Sequence, residues 1–132
     1  MENEIRILIR SEADIVAARE QGRILAKKIG FNGSGPTIIA TAISEVARNI
    51  LQYADHGEII IDVIHQSKAG GILVIARDDG PGITDVSQVM QVGYTTGKGL
   101  GLGLPGARRL MDEFQIVSEP GKGTTVTMKK WV

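Results

Sequence analysis

Two carboxylates, an amide and a run of glycines stand out in this chain for their type and spacing. Glu45 and Asn49 lie four residues apart in SEVARN, so a helix puts them on one face. Asparagine is a poor helix former that prefers caps, and inside a helical run it invites a chemical reading. Its amide oxygen suits Mg²⁺, an ion that takes few protein ligands and relies on phosphates and water. Glu45 would then be placed to accept a proton from an incoming hydroxyl, although a mid-helix Glu is also an ordinary solvated residue. Further on, Asp78-Asp79-Gly80-Pro81-Gly82 follows a β-rich run. Such residues end a strand and turn the chain. They also offer an acceptor-only carboxylate for the exocyclic amine of adenine, beside glycines that let a flat base approach the backbone.

The densest glycine run, TTGKGLGLGLPG, spans Thr95 to Gly106. A Walker A loop needs four residues between its first Gly and Gly-Lys, then Ser or Thr. Gly93 and Gly97 enclose only three, and Gly99 follows Lys98. Gly101, Gly103 and Gly106 have dinucleotide-binding spacing, but no strand precedes them and no βαβ unit surrounds them. The run leads instead into the start of a helix, where free N–H groups and the positive helix end favour a phosphate. Lys98 adds a mobile cation. A glycine-rich surface loop without a ligand has the same composition.

These groups need elements to hold them. Ile5 to Ile9 reads as a strand. Ser11 and Asp14 form an approximate capping box for a helix whose apolar positions run from Ile15 to Ile29, closed by Gly30. Pro36 opens a second helix, with Ile39, Ile43, Ala47 and Ile50 on its apolar face, ending near Tyr53. Glu58 to Gln66 and Ile72 to Asp78, joined by SKAGG, read as a hairpin. A short helix is expected around Val86 to Met90, and a stronger one, ARRLMDEF, from near Pro105. FQIVSE and TTVTMKKWV make a closing hairpin. The order β-α-α-β-β-loop-α-β-β predicts an α+β two-layer sandwich with helices on one face of a mixed or antiparallel sheet.

Composition narrows the classes. The 132 residues make one domain, 1–132, and 42% apolar content suffices for a core. Fifteen basic against fifteen acidic residues leave no field for nucleic acid or an anionic membrane. With no cysteine there is no disulfide, thiolate site or Cys nucleophile, and two histidines are too few for a His-built metal site. No signal peptide or membrane span is evident, so a cytoplasmic protein is expected. Seventeen glycines imply several backbone positions that a Cβ would forbid.

The same residues, taken in order, resemble the boxes of the GHKL superfamily of ATP-binding domains. Glu45-x-x-x-Asn49 resembles its N box, and Asp78-x-Gly80-x-Gly82 its D-x-G-x-G box. Gly99-Leu100-Gly101-Leu102-Gly103-Leu104 resembles its G-x-G-L-G-L box, and Gly121-Lys122-Gly123-Thr124-Thr125-Val126 its last glycine–threonine box. The resemblance implies the Bergerat ATP fold with a lid between the two main glycine boxes. It implies that Asn49 holds Mg²⁺, Asp78 takes the adenine amine, Gly80 and Gly82 admit the base, and Thr124 supports the adenine side. Gly99, Gly101 and Gly103 would wrap the phosphates of ATP, and Glu45 would be the general base. The place of Lys98 in the lid suggests a phosphate contact. Leu100 departs from the small polar residue of many relatives.

Neither histidine lies in a helix of the phosphoacceptor kind, and neither dimerising helices nor a transducer domain are expected within these 132 residues. The chain is therefore most similar to the serine-kinase branch, and in DIVAAR, TAISEVARNI, DDGPGI and GLPGARRLMDEF to stressosome switch kinases. That implies phosphorylation of Ser or Thr on a STAS-domain scaffold or antagonist, then binding of a PP2C-type phosphatase. An anti-sigma factor kinase and a non-catalytic docking module are the alternatives; an intact Glu45 argues against the latter.

Overall fold

Alternation with a period of two sorts the strands into an inner and an outer face. In a computed structural model that describes residues 4–66, 68–83, 85–90 and 103–132, Ile5, Ile7 and Ile9 of β1 (Ile5–Ile9) lie on the inner side. Ile59 and Ile61 of β2 (Gly57–Gln66) sit opposite Ile7 and Ile5. Ile72, Val74 and Ala76 of β3 (Ala69–Asp78) continue that face. Val126 and Met128 of β5 (Gly123–Trp131) and Phe114 and Ile116 of β4 (Glu113–Glu119) complete it. The strand order is β1-β2-β3-β5-β4, and every pairing is antiparallel.

The helices cover this face. The first, α1 (Glu12–Ile29), buries Ile15, Ala18, Leu25 and Ala26. The second, α2 (Gly35–Ala54), buries Ile39, Ile43, Val46, Ala47 and Ile50, and α4 (Gly103–Leu110) buries Leu104 and Ala107. A four-residue helix, α3 (Val86–Val89), is capped by Asp85, whose Oδ1 accepts from Gln88 N–H at 3.0 Å. The core is built from isoleucine, with Ile9, Ile15, Ile39, Ile43, Ile50, Ile59, Ile61 and Ile72 fully buried. Each such side chain contributes about 1.5–3 kcal/mol. Many β-branched side chains thus do the work that a few aromatic rings do in other cores.

Local chemistry differs from expectation in instructive places. Asp14 does not form a full capping box: its Oδ2 accepts from Arg10 N–H (2.9 Å) and from Ser11 Oγ (3.2 Å), so the side chain ties the strand exit to the helix. The α1 terminus is as expected, with Gly30 at φ 117° and Phe31 N–H reaching Ala26 O at 3.0 Å. The β2–β3 ladder extends to Gln66↔Ala69, so Gly70 and Gly71 belong to β3 and not to the loop; Gly71 lies under the Trp131 ring. The largest correction concerns ARRLMDEF. Its helix stops at Leu110, and Phe114 belongs to β4. The sheet takes over there: Lys130 Nζ donates to Leu110 O (3.0 Å), Asp112 N–H to Lys129 O (3.0 Å), and Trp131 N–H to Asp112 Oδ2 (2.8 Å).

The outer face is left uncovered by these helices and carries ion pairs across β1–β3. Arg6 bonds Glu4 (2.9 Å) and Glu58 (3.4 Å), and Arg77 Nε donates to Glu58 at 3.1 Å. Asp62, 2% exposed on this face, accepts from Val63 N–H with Oδ1; its Oδ2 has no partner among the described residues.

The β3–β5 pairing depends on Gly123, which has φ 90° and whose Cβ would run into the Asp78 carbonyl oxygen. Gly123→Ala is expected to destabilise the chain by about 3 kcal/mol or more in urea denaturation. Gly70→Ala, at a position with open space, should stay within about 0.5 kcal/mol. Equal effects of the two changes would show that this contact does not set the register.

Candidate functional site

The site is built where the last turn of α2 meets the ends of β3 and β5. Ala54 abuts Gly80, where a Cβ would collide with it, and Ile50 packs on Gly57 at the start of β2. Asp78, the last residue of β3, is 7% exposed and pairs in register with Thr124. Its Oδ1 accepts from Gly80 N–H at 3.0 Å, an Asx turn that folds the D-x-G segment back over the strand end. Burial pushes the Asp78 carboxyl above its ordinary value of 3.8. The N–H groups of Gly80 and Thr124 oppose that, the neighbouring Asp79 adds to it, and His56 opposes it weakly. The carboxylate therefore sits in a dry crease with acceptor capacity left over.

Next to it is a hydroxyl pair. Thr124 is 4% exposed and its Oγ1 lies 2.8 Å from Ser118 Oγ. Ser118 also accepts from Ile83 N–H (2.7 Å) and donates to Gly123 O (3.2 Å), which ties the D-x-G-x-G turn to the β4–β5 hairpin. Gly82, at φ 80°, fits only because it lacks a Cβ that would meet the Glu119 carbonyl. The absent Cβ atoms of Gly80 and Gly82 thus make room for the protein's own chain.

Glu45 and Asn49 share a face of α2, as their spacing predicts. Glu45 is only 6% exposed, and Oε1 is held by Arg48 Nη1 at 3.0 Å. Asn49 is half-buried. With a rise of 1.5 Å per residue, Asn49 lies about 7.5 Å and Glu45 about 13.5 Å along the helix from Ala54. The α4 helix packs against α2, with Gly103 at φ 54° in its first position. Lys98, Gly99 and Gly101 lie outside the described residues.

The structure therefore assembles Asp78, Gly80, Gly82 and Thr124 at one end of α2 and sets Asn49 and Glu45 along it. Sequence reasoning assigned no part to Ser118 or Arg48. Ser118 is found only through the β4–β5 register, opposite Thr124. Arg48 had a local signal, its i,i+3 spacing from Glu45.

A family model described as "Histidine kinase-, DNA gyrase B-, and HSP90-like ATPase" matches residues 35–131. The chain belongs to this ATPase family. Within GHKL proteins, it is 47% identical over 132 residues to serine/threonine-protein kinase RsbT of Bacillus subtilis (strain 168), spanning 100% of this chain and 99% of that one. It is 38% identical over 99 residues to an anti-sigma F factor of Halalkalibacterium halodurans, spanning 71% of this chain and 68% of that relative. Among solved structures, a mycobacterial sensor histidine kinase, MprB, superposes with a TM-score of 0.55 at 13% identity over 97% of this chain and 95% of the other. That likeness is one of fold. The α+β GHKL fold and the serine/threonine-kinase class expected from sequence are both borne out.

The displaced pKa of Asp78 has a consequence for stability. Because the folded chain holds this proton more tightly than the unfolded chain, stability falls as pH rises from 3.8 through the raised value. Asp78→Asn keeps an Oδ1 acceptor for Gly80 N–H and removes the buried charge. Without nucleotide, this variant should unfold at a higher midpoint than wild type at pH 7, the gap closing as pH falls below about 4. A midpoint below wild type at pH 7 would mean that the hydrogen bonds outweigh the burial.

Proposed function

We propose that this GHKL protein is a Mg²⁺-ATP-dependent serine/threonine kinase. In this reading it phosphorylates a STAS-domain scaffold or antagonist and, once released, binds and activates a PP2C-type phosphatase. The observation that carries the reading is the order of groups along α2: a buried acceptor at one end, a half-buried amide further on, and a buried carboxylate one turn beyond. That is the order of an adenine contact, a metal ligand and a base for γ-phosphoryl transfer. Full-length similarity to a serine/threonine-protein kinase supports the same class.

Asp78 accepts the adenine amine, Thr124 steadies it through its backbone N–H, and Gly80 and Gly82 carry the backbone that lines the base. The donor set suits a hard cation that keeps most of its water and phosphate ligands, with the Asn49 amide oxygen as its protein ligand. Mg²⁺, when bound, neutralises charge on the phosphates. Gly99, Gly101 and Gly103 offer backbone N–H groups, and Lys98 a cation, to the same phosphates. Glu45 takes the proton of the acceptor hydroxyl as that oxygen bonds to the γ-phosphorus and the bond to the ADP oxygen breaks. Positioning and charge stabilisation account for the rest of the catalysis.

A second reading, an anti-sigma factor that phosphorylates its own antagonist, is favoured by the anti-sigma F relatives. A cytoplasmic location goes with either reading. Among the described helices none is long and apolar enough to cross a membrane.

Incubating the protein and γ-labelled ATP with a host lysate should give acid-stable label on a STAS-domain protein. Glu45→Gln should lower that labelling roughly 100-fold or more while retaining ATP binding. Label on a small antagonist with a co-purifying sigma factor would favour the second reading. ATP binding without any transfer, with the acceptor present, would leave only a docking module. Asn49→Ala should abolish Mg²⁺-dependent ATP binding in calorimetry; an unchanged affinity would remove the metal assignment.

A further inference from the structure

We infer that Arg48 is a positioning residue that holds the Glu45 carboxylate in its reactive orientation. The inference rests on the base role proposed for Glu45. Ion pairs three residues apart on an exposed helix face contribute little, because both side chains have water as an alternative. This pair differs: Glu45 is 6% exposed and the Arg48 side chain 30%, so a partly exposed cation holds a buried anion. Among the described residues, Arg48 is the hydrogen-bond partner of Glu45, and it engages one oxygen, Oε1, at 3.0 Å. Oε2 accepts no bond from those residues. The terminal torsion of a glutamate is broad and only two-fold, so an unheld carboxylate samples many planes. A guanidinium on Oε1 fixes that plane and leaves Oε2 to receive the hydroxyl proton. Removing the guanidinium leaves the buried carboxylate without its compensating charge and without an orientation.

The test is a double-mutant cycle read by phosphotransfer to the acceptor identified with γ-labelled ATP. Arg48→Met should lower kcat roughly 100-fold, the scale of a misplaced reacting group, with KM for ATP unchanged. Arg48→Lys, which keeps a cation at the same helical spacing, should recover most of that loss. In a Glu45→Gln background, Arg48→Met should change kcat no further, because there is no base left to orient. An Arg48 that only stabilised the helix would lower activity equally in both backgrounds, because the folded fraction would fall whether or not the base is present. Full activity of Arg48→Met beside an inactive Glu45→Gln overturns the positioning role alone. Native activity of Glu45→Gln overturns the base and, with it, this inference. If Arg48→Met fails to fold, the lysine variant carries the test, and a loss as large as that of Glu45→Gln would count against the inference.

Discussion

A carboxylate buried at the end of a strand is costly to fold around, and the geometry of this protein is arranged to tolerate one. Asp78 sits where β3, β5, the start of β2 and the end of α2 converge, and three glycines surround it. Gly57, Gly80 and Gly123 each lie so close to a neighbour that a Cβ would collide with the Arg77 carbonyl, Ala54 or the Asp78 carbonyl respectively. Two N–H groups, from Gly80 and Thr124, are what the carboxylate gains in return for lost water. The balance still disfavours the ionised form. Perturbed carboxyls of this kind cluster at functional sites, and structural ion-pair networks produce them too.

The α2 helix carries the opposite kind of compromise. It is the longest helix, buried over most of its central turns, and it holds polar groups among them. Ser44 satisfies its hydroxyl on Ala40 O at 3.0 Å, and Glu45 satisfies one oxygen on Arg48. Among the described residues neither bonds outside the helix, and the flanking isoleucines fill the core. The helix thus fixes the spacing of Glu45 and Asn49 along its axis.

Much of this was legible in the chain because it is local. Strand alternation in IRILI, the Gly30 cap, the Pro36 helix start and the i,i+4 spacing of Glu45 and Asn49 all act within a few residues. The boundary between α4 and β4 differs from the sequence reading because helical periodicity runs on through Met111 and Asp112, while Leu110 and Asp112 are hydrogen-bonded to Lys129, Lys130 and Trp131, far along the chain, where the helix ends. Ser118 was missed for the same reason: a serine in a strand has no signal until register sets it opposite Thr124. The burial of Glu45 was likewise invisible, since a helical glutamate with an arginine three residues on is the commonest of surface patterns. The glycines of the D-x-G-x-G box were read for ligand access, and the structure shows a second demand on them from the packing of the chain on itself.

The strand order has an outcome for biosynthesis. β5 follows β4 in the chain, yet it lies between β3 and β4 in the sheet. A nascent chain can zip β1, β2 and β3 together once Asp78 has left the ribosome, but the free side of β3 then waits for residues 123–131. Throughout that interval β3 is an open edge rich in isoleucine and valine, the kind of edge that pairs with another nascent chain. The half-site around Asp78 comes together only when Thr124 arrives. A polypeptide cut short before Gly123 would therefore lack the crease around Asp78 and display a sticky strand, two defects with a single cause.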